Sequence, residues 1–177
     1  FITGEAGCGK SHLIGEIITK RQQASYPSIL LLGQHFMASS DPLTQICVSL
    51  DIHCRKEILL SQLNDYGKRV DNLVVIFIDA INEGAGLDYW QRFLEELIAS
   101  VENYEFLKLV VSFRTSQMKN WFYDLAHDAD NTVYIHEGFR GREREAAQYM
   151  FGAFGLDQPL WPMYGSEFTN PLFLLKY

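Results

Sequence analysis

Short apolar runs alternate along the chain with segments whose apolar residues recur every three or four positions, a pattern that predicts an α/β protein with a mostly parallel sheet. Five runs read as strands: Phe1 to Thr3, Ile29 to Leu32, Leu73 to Ile78, Leu107 to Ser112 and Thr132 to Ile135. The third is apolar throughout, as a strand covered on both faces should be, and is expected at the centre of the sheet. Helical patterns fill the intervals. Ser11 to about Ala24 puts Leu13, Ile14, Ile17 and Ile18 on one face, and a second helix opens at Pro42 behind Ser40 or Asp41 as its cap. Arg55 to Arg69 follows, then Leu87 to Val101, where Trp90, Phe93, Leu94, Leu97, Ile98 and Val101 have the spacing of a buried stripe. Ser116 is expected to cap a short helix carrying Met118, Trp121, Phe122 and Leu125. Arg142 to Phe154 should end at Gly155 in a left-handed turn. Asn170 followed by Pro171 reads as an N-cap with proline at the first helical position.

Strand patterns stop after Ile135, which places an expected boundary near residue 136: a nucleotide-binding unit over 1–135 and a helical subdomain over 136–177. Phe1 to Thr3 reads as the last part of a strand, and the helix opened by Pro171 is interrupted at Tyr177. The sequence is therefore expected to be a piece of a longer chain.

Composition narrows the class. The 177 residues are 47% hydrophobic and 21% charged, enough to bury a full core. Fifteen Lys and Arg against 22 Asp and Glu give a net charge of −7 without a basic stripe, which argues against nucleic acid as the main ligand. Three cysteines, Cys8, Cys47 and Cys54, lack C-x-x-C spacing, and neither they nor the five His cluster at metal-ligand intervals. A reducing, cytoplasmic setting is expected. No apolar run approaches the roughly 20 residues of a membrane-spanning helix.

The strongest chemical signal is Gly4-Glu5-Ala6-Gly7-Cys8-Gly9-Lys10-Ser11, a G-x-x-x-x-G-K-[ST] match lying after a strand end and before an amphipathic helix. Glycines let such a loop curl until successive backbone N–H groups converge on phosphate oxygens, and the helix N-terminus adds its partial positive charge. Lys10 would then meet the β- and γ-phosphates, the Ser11 hydroxyl would ligate Mg²⁺, and His12 closes the binding segment. Cys8 fills an unconstrained position and reads as a small tolerated residue. A second signal is the strand from Leu73 that ends in Asp79, a carboxylate suited to hold Mg²⁺ through its water shell. Glu83, the next acid along, would orient and polarise an attacking water; the competing reading is a capping acid for the helix before Leu87. Third, Arg114 follows the tip of the fourth strand, where a guanidinium would read the γ-phosphate or form a structural ion pair. No N-K-x-D sequence for guanine occurs, so ATP is the expected nucleotide.

With these elements in order, the chain resembles the ATPase domain of STAND proteins, the signal-transduction P-loop ATPases that include the NACHT group. The segments Ile29 to Phe36, Ser40 to Leu43, Asp79 to Gly84 and Glu167 to Leu174 look like those of bacterial antiviral STAND ATPases. The resemblance implies a P-loop NTPase fold of three α/β/α layers. It further implies that Pro171 packs against adenine. In such proteins the ATPase sits between an N-terminal effector and a C-terminal sensor of a protein ligand, and ATP binding favours a homo-oligomer, commonly a tetramer, that switches the effector on. Hydrolysis would be slow and ligand-regulated. One departure is Asn82, where many NACHT sequences carry an acid, which leaves Glu83 as the water-positioning group.

Other classes share single features. A P-loop kinase would need an Arg-rich lid, whereas the three Arg between Phe139 and Glu145 are interleaved with Glu and read as a charged helix start. An AAA+ motor usually has its catalytic acid directly after the metal-binding Asp, where Ala80 stands here. A binding module that keeps the loop only for structure would not need Lys10, Ser11 and Asp79 together.

Overall fold

The computed structural model describes residues 1–117, 120–126, 131–157 and 165–175. Its core is one five-stranded sheet, all parallel, built from β1 (Ile2–Gly4), β2 (Ser28–Leu32), β3 (Val74–Asp79), β4 (Leu107–Arg114) and β5 (Tyr134–Ile135) in the order β2-β3-β4-β1-β5. Between them run α1 (Lys10–Gln23), α2 (Pro42–Ser49), α3 (Lys56–Val70), α4 (Gly86–Glu102) and α5 (Asn120–Ala126); α6 (Glu143–Ala153) and α7 (Pro171–Leu174) follow β5.

Alternation along β3 sorts the helices into layers. Val74, Ile76 and Ile78 face a large cluster with Leu59 and Leu60 of α3 and Trp90, Leu94 and Leu97 of α4. Val75 and Phe77 point the other way, onto Ile14 of α1. Reversal of direction at β1 is the reason: the crossover from β1 reaches over β4 and β3 to β2, while every later one returns the opposite way, and right-handed connections then put α1, alone among the described helices, on its face. A third cluster, apart from the sheet, joins Ala147 and Phe151 of α6 to Phe168 and to Leu174 of α7.

Two local expectations are corrected. The geometric centre of the sheet is β4, not β3; β3 is buried at all six positions because helices cover both its faces, a property separate from how many strands lie to either side. Ser116 does not cap a helix: it sits within a 3₁₀ turn over Thr115–Gln117, and α5 starts at Asn120. Met118 lies outside the described residues. Other termini follow the local chemistry, with the Asp41 carboxylate accepting from the Thr44 N–H at 3.1 Å and Gly155 in the left-handed region behind α6. Among the described residues no helix is long and apolar enough to cross a membrane.

Candidate functional site

Parallel strands deliver their C-terminal ends to one edge, and the sequence-predicted residues gather there. The loop from Gly4 leaves β1 and enters α1 through Gly9, whose φ of 104° is left-handed and strained for any other residue. Gly9 caps α1 without a side-chain hydrogen bond, and no acid occupies the first turn, so the helix's leading N–H groups and its positive end remain directed at the cleft. The Lys10 ammonium donates to the carbonyls of Gly4 at 2.7 Å and Glu5 at 2.9 Å, and so lies along the loop's rim. Cys8 is buried beneath the loop.

Opposite stands the end of β3. Asp79 is buried, and its carboxylate accepts a hydrogen bond from the Ser112 hydroxyl, which in turn accepts from the Ala80 N–H at 2.8 Å. Two strand tips are thereby fixed to each other, and Asp79 lines the cleft they border. Beyond Asp79, Ala80 takes a left-handed conformation with φ 57° and turns the chain so that Asn82 and Glu83 face β4. The Asn82 amide oxygen accepts from the Arg114 N–H at 3.3 Å, and the Arg114 guanidinium donates to the Glu83 carboxylate at 3.3 Å. The ion pair expected as one reading of Arg114 is formed, and Glu83 is its partner. The capping reading of Glu83 is set aside, since α4 begins at Gly86 behind Ala85 as N-cap, with no side-chain cap hydrogen bond.

The helical end closes the site. Asn170 accepts the Leu172 N–H at 2.9 Å, capping α7, and its amide donates to the Ala6 carbonyl at 2.9 Å; the Leu172 N–H also approaches the Gly7 carbonyl at 3.3 Å. Pro171 is held over the loop by these bonds. A cavity of about 870 Å³ results, large enough for a nucleotide. It is lined by Gly7, Gly9, Lys10, Ser11, Asp79, Glu83 and Arg114 together with the apolar surfaces of Phe139, Met150, Pro171 and Leu172; of these, Leu172 and Pro171 lie directly against Gly7 and Gly9. His12 lines it as well, as do Ala6 and Ala80.

Sequence reasoning missed several participants. Ser112 was hidden because its role depends on the register that sets Val111 beside Ile78. His136 follows the tip of β5, donates its N–H to the Thr3 carbonyl at 2.7 Å, and turns its ring toward Gly9; a signal existed, since it trails a strand end just as Arg114 does. Burial lowers its pKa, the nearby Lys10 cation lowers it further, and a hydrogen bond with the Cys8 backbone works against both. Arg142 and Glu145 of the charged segment also line the cavity, while Arg140 is turned onto Glu137 at 2.5 Å.

The donor set bears on metal. Among the described residues no three His, Cys, Asp or Glu converge as a self-sufficient site. The Ser11 hydroxyl and Asp79 carboxylate instead share a cleft beside an anion-attracting helix end, the incomplete donor set that suits a Mg²⁺ completed by phosphate oxygens and water.

Comparison with protein-family models and with curated proteins finds no match for this chain.

Proposed function

We propose that the chain binds and hydrolyses ATP with Mg²⁺, as the switch domain of a STAND-type signalling protein in which nucleotide state governs assembly. The reading rests on one observation above all. A left-handed glycine loop at an uncapped helix end shares a cleft with Lys10, Asp79 and an Arg114–Glu83 pair, and Phe139, Met150, Pro171 and Leu172 add apolar surface to the same cleft. A ligand with an anionic tail and a flat apolar head fits this combination of linings. The triphosphate would lie on the N–H groups of the loop, and Lys10 would turn from the Gly4 and Glu5 carbonyls to its oxygens. Ser11 and the Ser112-oriented Asp79 would hold Mg²⁺, which neutralises developing charge on the phosphates. Adenine would rest against Pro171, whose ring has no N–H to leave unpaired.

Arg114 and Glu83 then account for slow, state-dependent turnover. Their side chains are about two-fifths exposed, and an ion pair at such a site contributes at most about 1 kcal/mol. A γ-phosphate carries more charge and more acceptor oxygens than one carboxylate, so it draws Arg114 away. Glu83 is released to take a proton from the attacking water, while ADP leaves the pair closed. The proposed antiviral role, the homo-oligomer (a tetramer in the resembled group) and the protein ligand belong to this reading through the family resemblance.

Calorimetry with ATP, ADP and inorganic triphosphate tests it. Lys10→Ala should weaken all three by about 1.5–3 kcal/mol, the worth of hydrogen bonds to a charged group, and equal affinities in wild type and variant would overturn the nucleotide reading. Glu83→Gln should retain ATP and lose roughly 10²-fold or more in turnover.

A further inference from the structure

Away from this cleft, the corner between α2 and α3 brings two thiols together. Cys47 lies in the last turn of α2 and is buried, and Cys54 is partly exposed just before α3. The chain between them is fixed by its own backbone. Asp51 is left-handed with φ 54°, its N–H donates to the Val48 carbonyl at 3.1 Å, and the Ile52 N–H reaches back to the Cys47 carbonyl at 2.8 Å. These are the two bonds of a Schellman turn, and they fold the segment onto the helix it has just left. Arg55 then opens α3, its carbonyl accepting from Ile58 at 3.0 Å and Leu59 at 3.1 Å. Held from both sides, Cys54 packs on the core cluster that contains Cys47. Both cysteines line a shallow surface cavity of about 640 Å³ with Val48 and Ile52.

We propose that Cys47 and Cys54 are a reversible oxidation site, joined as an intramolecular disulfide when the protein meets a hydroperoxide. The two thiols divide the chemistry. Burial raises the Cys47 pKa, and the neighbouring Cys54 thiol, in hydrogen-bonding reach, raises it further, so Cys47 is the poorer first nucleophile. The Cys54 thiolate attacks the peroxide oxygen; the O–O bond breaks, and the departing oxygen takes a proton and leaves as water from hydrogen peroxide. Cys54 is now a sulfenic acid. The Cys47 sulfur attacks it, the S–S bond forms, the S–O bond breaks, and the hydroxide leaves with the Cys47 proton as a second water. Two thiols are oxidised and one peroxide is reduced. A dithiol reductant reverses the step by exchange.

Peptide mapping of the whole chain tests this directly. After brief hydrogen peroxide treatment and alkylation, cleavage before aspartates separates residues 41–50, with Cys47, from residues 51–64, with Cys54. The expected product is the two peptides joined, two of the three thiols lost, Cys8 still alkylatable on unfolding, and full reversal by dithiothreitol. In Cys47→Ser the Cys54 sulfenic acid should persist and be trapped by dimedone, whereas Cys54→Ser should block linkage. Separate alkylation of both peptides after treatment would overturn the proposal. So would a linkage forming as fast in urea as in the folded chain, because the fold would then contribute nothing beyond closeness in sequence.

Discussion

Ser112 is fully buried and holds two partners at once, donating to the Asp79 carboxylate and accepting from the Ala80 N–H. Removing its hydroxyl leaves a partly buried N–H unpaired and frees a buried carboxylate whose direction decides what it can ligate. Ser112→Ala should cost about 1–3 kcal/mol in urea unfolding, the range for orphaning a buried polar group. The same change should weaken nucleotide binding with Mg²⁺ more than binding without it. Equal losses with and without the metal would reduce Ser112 to a structural tie. Lys10, hydrogen-bonded to the Gly4 and Glu5 carbonyls at the end of a flexible side chain, needs no such support, because its ammonium can rotate between the loop and a bound anion.

α7 is only four residues long, too short to persist by its own hydrogen bonds, so its place depends on Asn170. One side chain performs two tasks, an oxygen capping the helix and a nitrogen reaching the Ala6 carbonyl. Paired substitutions separate them. Asn170→Asp keeps the capping oxygen, loses the donor and sets a negative charge beside the loop; Asn170→Ala loses both. The alanine variant should lose about 0.5–2 kcal/mol of stability, and the aspartate variant much less. Triphosphate binding should fall in the opposite order, about tenfold or more with aspartate for a loss near 1.4 kcal/mol, which titration calorimetry would read. Much of this element-level picture was legible in sequence: the cap at Asn170, the Pro171 start, the terminator at Gly155 and all five strands are local patterns. Strand order was not. The unbroken apolarity of Leu73 to Ile78 reports helices above and below, whereas the central β4 shows Lys108 exposed and Val110 half-buried, since among the described helices only α1 covers that face. Register was equally hidden, and with it the pairing of Ser112 to Asp79 and of Arg114 to Glu83, because both are set by which strands lie side by side.

At the scale of the molecule, the sheet's C-terminal edge collects cationic and anionic groups that must coexist before any ligand binds, and His136 records that balance. Burial first, then the Lys10 cation, holds its pKa below the ordinary 6.5. In the unfolded chain neither acts. Between the lowered folded value and 6.5 the unfolded state therefore binds more protons than the folded one, so stability rises with pH through this window and declines as pH falls below 6.5. The carboxylates cannot produce the same signal. Asp41 is resisted by burial but held below its ordinary 3.8 by hydrogen bonds from Thr44 and by Lys56, so its contribution is lost only at more acid pH. An anion on the loop would offset Lys10 and raise the His136 pKa, so binding should take up a proton and tighten on mild acidification, even as the free protein weakens. Thermal unfolding between about pH 5 and 8, with and without triphosphate, reads both slopes. His136→Gln should flatten the fall in the free protein and remove the opposite trend in triphosphate affinity. If the variant keeps both dependences, proton coupling at this edge arises from another group, and His136 serves only to pack beneath the loop.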